Sequence, residues 1–112
     1  MAQANAARAG VLQHIRFDHR PVSALTPPLD DGRTGWIVTN PPYGLRASRR
    51  ADVRNLYAQF GKVLRAGFGG WRVAVLSSDV RLLGQLGLPL DTSAALVNGG
   101  LAVRLGRGVV EG

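Results

Sequence analysis

Trp36-Ile37-Val38-Thr39-Asn40-Pro41-Pro42-Tyr43 joins a short apolar and β-branched run to an asparagine, two prolines and an aromatic. The first four residues have the pattern of a strand buried on both faces, which is how strands of a parallel sheet read. The next four cannot continue that strand. Each proline fixes its own φ, lacks an N–H and restricts the residue before it. The carbonyls of Asn40 and Pro41, with the side-chain oxygen of Asn40, are therefore expected to gather as acceptors at the strand's carboxyl end. In an open α/β sheet that end faces the crevice where ligands bind.

The flanking sequence supports such a sheet. Ser48 to Ala66 predicts a helix, because Val53, Leu56, Tyr57, Phe60, Val63 and Leu64 recur at helical spacing and form one apolar stripe. Gly67 stops it, Gly69-Gly70 turns the chain, and Trp71 to Leu76 is a second apolar strand broken only by Arg72. Ser77-Ser78-Asp79 offers an N-cap to a short helix over Val80 to Leu86. Ser93 to Val97 and Leu101 to Leu105 flank Asn98-Gly99-Gly100, a hairpin signal. Upstream, Ala2 to Ala9 reads as the end of a helix, Ile15 to His19 as a strand, and Pro21 to Gly35 as a loop with one helical turn at most. Strands separated by helices predict an α/β fold, a parallel sheet with helices on both faces, and the hairpin adds an antiparallel strand at one edge.

The 112 residues suffice for one modest domain, and 46% hydrophobic against 19% charged composition excludes a disordered tail. No apolar run reaches membrane-spanning length and no secretion signal is visible, so a cytoplasmic protein without a membrane partner is expected. Cysteine is absent, which removes disulfides, thiolate metal sites and thiol nucleophiles, and two histidines, His14 and His19, are too few for a histidine zinc site without carboxylate help, so no metal is expected. A formal net charge of +7 favours a polyanionic partner, although a basic residue set that is arginine except for Lys62 also fits a compositional bias.

Acceptors clustered at a fixed place suit an exocyclic amine. On a nucleobase that amine is a weak nucleophile, since its lone pair is delocalised into the ring. Hydrogen bonds to Asn40 and Pro41 would free the lone pair and stabilise positive charge developing on nitrogen. Tyr43 offers a flat face for stacking, worth about 1–3 kcal/mol per base. Gly44 keeps a side chain out of the pocket.

Asn40-Pro41-Pro42-Tyr43 resembles the signature of amino-group methyltransferases that use S-adenosylmethionine, shared by adenine, cytosine and guanine N-methylases and by release-factor glutamine methyltransferases. Asn5, Ala9-Gly10-Val11, Gly44, Arg46, Leu56-Tyr57, Gly61, Gly70-Trp71 and Asn98-Gly99 narrow the resemblance to the THUMP-associated RNA guanine-N2 methyltransferases, from about Asn5 to Leu105. Gly44-Leu45-Arg46 does not match the isoleucine and glutamate with which the glutamine methyltransferases continue. The resemblance implies methylation of guanine N2 in ribosomal or transfer RNA. It makes Asn40, Pro41, Pro42 and Tyr43 catalytic, and puts Gly44, Arg46, Arg49 and Arg50 against the RNA, with the guanine swung out of its stack. Arg54 is a further phosphate candidate.

The resemblance also implies a Rossmann-like class I sheet of strand order 3-2-1-4-5-7-6. This chain supplies strands 3, 4, 5, 6 and 7, without the first two strands and without the glycine-rich loop and acidic residue that hold the cofactor. Residues 1–112 are accordingly expected to be a partial catalytic domain lacking the cofactor-binding half, inactive alone. The position of the family's adenine-side aspartate is Pro21, which has no N–H, so Val22 and Asn40 are the cofactor-side candidates. Ile15 to His19 would either pair directly with Trp36 to Asn40 or remain an unpaired edge. A DNA adenine-N6 methylase fragment and a non-catalytic basic RNA-binding module stay open as alternatives.

Overall fold

The structure, a computed structural model, describes residues 1–28, 31–41 and 50–111, and in Arg50, Ala51 and Asn98 the backbone only. Helix α1 (Ala2–Arg8) is followed by two 3₁₀ turns, Leu12–His14 and Val22–Ala24. Then come β1 (Trp36–Thr39), α2 (Arg50–Gly67), β2 (Arg72–Ser77), α3 (Val80–Gly84), β3 (Asp91–Asn98) and β4 (Leu101–Val109). The strands form one sheet in the order β1-β2-β4-β3. β1 runs parallel to β2, with Trp36 beside Arg72 and Thr39 beside Val75. β4 is antiparallel to both its neighbours.

The helices form where the apolar stripe and the caps lie. α2 turns Val53, Tyr57, Phe60 and Leu64 into the core, and α3 adds Leu82 and Leu83. Asp79 caps α3 by accepting from the Arg81 N–H at 2.9 Å. These side chains close over Val73 and Val75, which are fully buried, and Val110 completes the cluster. Each such burial is worth about 1.5–3 kcal/mol. Two approaches are too close for any side chain. A Cβ on Gly61 of α2 would lie 1.9 Å from the Leu86 carbonyl oxygen, and one on Gly108 of β4 would lie 2.8 Å from that of Pro89. At the tip of the hairpin Gly99 and Gly100 both take positive φ, 58° and 82°, as a tight two-residue turn demands.

Three expectations are corrected. Ile15 to His19 belongs to no strand, and Ile15 and Phe17 are exposed. A strand cannot persist without a ladder partner, and β1 has its ladder with β2. The pattern reading put the antiparallel strand at an edge, but β4 lies between β2 and β3, as the order 4-5-7-6 implied by the resemblance has it. The crossover through α3 carries the chain past one strand position, and β4 returns to fill it. Finally, α2 and α3 pack on one face instead of two. Both connect parallel strands and both advance in the same direction across the sheet, so a common right-handed crossover puts them on the same side. Over the other face, Trp36 and Val38 are 59% and 75% exposed.

At the start of β3 the carboxylate of Asp91 is held below its ordinary range, first by hydrogen bonds from Ser93 and then by Arg107. It is a surface feature of the hairpin base.

Gly61→Ala must push the Leu86 carbonyl away from α2. We expect a loss of about 1–3 kcal/mol in urea unfolding, the usual range for overpacking. An unchanged midpoint would show that α2 and the turn after α3 are not in contact.

Candidate functional site

β1 ends at Thr39, and Asn40 and Pro41 follow it at the sheet's carboxyl lip, Asn40 exposed and Pro41 half-buried. Because Thr39 pairs with Val75 in a parallel register, the carboxyl end of β2 reaches the same lip. There Ser77 is fully buried. Its hydroxyl accepts from the Tyr57 O–H at 3.3 Å and from the Asp79 N–H at 3.2 Å. Helix α2 therefore ties itself to the second strand at the level of the crevice, through the polar tip of an otherwise apolar side chain. Asp79 in turn holds the first turn of α3. Asn40 and Pro41 thus sit on a rim braced by two helices.

The structure places the sequence-derived candidates unequally. Asn40 and Pro41 come together where the strand pattern puts them. Pro42, Tyr43, Gly44, Arg46 and Arg49 lie outside the described residues, as does the side chain of Arg50, whose backbone opens α2. Val22 lies in the 3₁₀ turn after Pro21 and packs half-buried against the core, its carbonyl accepting from the Leu25 N–H at 3.2 Å. Arg54 is exposed on α2. The sequence reading overlooked Tyr57 and Ser77 as a pair. The available signal was a tyrosine inside a helical apolar stripe facing a serine at the end of a buried strand.

Cofactor fit can be judged from the turns. Glycines with positive φ stand at 10, 32, 70, 87, 99 and 100. None of these lies between a strand and the helix that follows it, the context a phosphate or cofactor loop requires. The described residues of this chain do not by themselves build a cradle for S-adenosylmethionine. Among them no group of three metal-ligating side chains is found, and no helix is long and apolar enough to cross a membrane.

A sheet of this order puts Asn40 and Pro41 at its carboxyl rim, the place where open α/β sheets bind their ligands. Residues 1–102 match the family model of the RMKL-like methyltransferase domain, and the chain belongs to that family. It is 40% identical over 101 residues to a ribosomal RNA large subunit methyltransferase K/L of Shewanella baltica, and 42% identical over 101 residues to that of Shewanella loihica. In each case the match takes in 90% of this chain and 14% of the relative, so the chain spans about one seventh of their length. Among solved structures, a possible methylase from Clostridium difficile 630 superposes with a TM-score of 0.84 at 27% identity, covering 99% of this chain and 28% of that one. A protein assigned as a methyltransferase and solved with SAH bound gives a TM-score of 0.84 at 23% identity, covering 99% of this chain and 28% of that one, a likeness of fold. The fold is thus part of a Rossmann-like methyltransferase domain.

Tyr57→Phe removes the donor to Ser77 and keeps the ring. We expect a loss of about 1 kcal/mol in urea unfolding, the typical net worth of one hydrogen bond. No loss would mean that the rim is not braced through this pair.

Proposed function

We propose that the chain is the substrate-side part of an RNA methyltransferase domain that modifies the exocyclic N2 of a guanine in ribosomal or transfer RNA. The observation that carries this reading is the position of Asn40 and Pro41 on the rim that β1 and its parallel neighbour β2 share. The names of the Shewanella relatives, which act on ribosomal RNA of the large subunit, support RNA as the substrate.

In this reading the amine donates its two N–H bonds to the Asn40 side-chain oxygen and the Pro41 carbonyl. The prolines restrict the backbone that carries these acceptors, which limits the reorganisation needed as positive charge grows on nitrogen. Tyr43 stacks on the flipped base, and Gly44 leaves room for it. Arg46, Arg49, Arg50 and Arg54 meet phosphates, which sets register without reading sequence. S-adenosylmethionine supplies an electrophilic methyl group, held mainly by the half of the domain that this chain does not contain. Val22 and Asn40 are its neighbours on this side.

The alternative of adenine N6 has one observation in its favour: a predicted N6-adenine-specific DNA methylase from Listeria monocytogenes superposes with a TM-score of 0.68 at 27% identity, covering 93% of this chain and 26% of that one. The same acceptors would serve either amine.

Incubated alone with tritiated S-adenosylmethionine and ribosomal RNA, the 112-residue chain is expected to transfer no methyl group. A domain extended by its cofactor half should label RNA and not DNA. In that longer protein Asn40→Ala should lower kcat by about 10²–10³-fold, the range seen when one preorganised polar contact to developing charge is removed. Full activity of Asn40→Ala would overturn the assignment, and label in DNA would select adenine.

A further inference from the structure

The register of β3 and β4 sets the height of their hairpin above the rim. Ser77, the last residue of β2, pairs with Arg104, and Arg104 pairs with Ala95. Leu96, Val97 and Asn98 therefore run on past the level of Ser77, and Leu101, Ala102 and Val103 come back beside them. At about 3.4 Å per residue, the tip stands about 10 Å beyond the lip that carries Asn40. β4 lies two strand spacings from β1, again about 10 Å. The hairpin is a post beside the crevice.

Its upper part is apolar on both sides. Leu96 and Leu101 lie on one face, Val97 and Ala102 on the other. Leu96, Val97 and Leu101 are 49%, 75% and 38% exposed, and none of the three packs into the core cluster. No charge occurs from Thr92 to Val103. The foot is cationic: exposed Arg104 donates to the Thr92 carbonyl at 3.3 Å, and exposed Arg107 pairs with Asp91 at 3.4 Å.

We propose that this hairpin is a wedge for structured RNA, inserting Val97 and Leu101 against the base next to the target guanine and filling the space from which the guanine swings out. The inference rests on the reading of the chain as the substrate side of a guanine-N2 methyltransferase and supplies what opens the stack. Guanine N2 is a minor-groove atom. The minor groove of duplex RNA is wide and shallow. A rim that meets N2 therefore brings a post standing beside it into that groove. Aliphatic side chains pushed between base steps unstack them, and an uncharged tip suits base faces better than phosphates. Arg104, at rim level, is placed for the backbone. The competing occupant is a second copy of the chain. It would bring the basic feet of two hairpins together on chains of net charge +7, which is unfavourable, whereas a polyanion is attracted.

The test titrates the 112-residue chain, at low salt and without cofactor, into a short RNA duplex with one bulged guanine and 2-aminopurine as its neighbour. A bulged base swings out cheaply, and 2-aminopurine brightens when it loses its stacking partner. Fluorescence at saturation should rise about threefold or more. Val97→Ser combined with Leu101→Ser should abolish the rise. It should keep the dissociation constant within about threefold, because phosphate contacts supply most of the affinity. Val97→Leu, which keeps the tip apolar, should keep the rise. Arg104→Ala should weaken binding and lower the salt slope by about one, with the rise at saturation preserved. Asn40→Ala should leave the rise intact. Bound RNA without a rise, a rise that survives the double substitution, or a dimer of the chain that the double substitution disperses would overturn the wedge and spare the catalytic reading. Failure of the chain to bind RNA at all would overturn both.

Discussion

The structure depends on one closure: α2 and α3 lie together over Val73 and Val75. Gly61 lets the Leu86 carbonyl approach α2 at a distance no side chain would allow, and the Arg65 guanidinium donates to that same carbonyl. With both crossovers on one side, the parallel register of β1 and β2 brings their carboxyl ends level. Asn40 and Ser77 then belong to one rim. Without that closure the acceptors after β1 would be a loop feature. With it they are mounted on a packed core, and positioning is what a transfer reaction at a weak nucleophile needs most.

Much of this was legible in the residues. The apolar stripe of α2, the Asp79 cap and the Asn98-Gly99-Gly100 turn are local signals, and each is found where local chemistry puts it. The rim position of Asn40 followed from an apolar, β-branched strand halted by prolines, although one face of that strand, with Trp36 and Val38, is exposed instead of buried. What was not legible was non-local. Hydrophobic pattern alone does not state that β4 inserts between β2 and β3, because that depends on a crossover leaving a vacant strand position; only the resemblance, with its order 4-5-7-6, implied it. Gly106 and Gly108 were the trace of it: at those two positions the segment ending in Leu90 passes directly over the strand. The Tyr57–Ser77 bond joins residues twenty apart and has no sequence signature of its own. Ile15 to His19 shows the opposite case, a β pattern whose fulfilment needs a neighbour that β1 does not provide.

The same division runs through the chemistry. Under the proposed function, Asn40, Pro41, Tyr43 and the excess of arginine belong to the nucleic-acid side of a transferase. Among the described residues no positive-φ glycine stands between a strand and the helix that follows it. Membership of the RMKL-like methyltransferase family, with a match over one seventh of longer relatives, agrees with a part that contributes one wall of a site.

The most direct measurement is a structure of the completed domain with a guanosine nucleotide and a non-reactive cofactor analogue. It should place the exocyclic N2 about 2.7–3.2 Å from both the Asn40 side-chain oxygen and the Pro41 carbonyl, the span of an ordinary N–H···O bond. A guanine bound elsewhere, or those two oxygens turned into the protein interior, would contradict the claim that this rim exists to hold a base's amine.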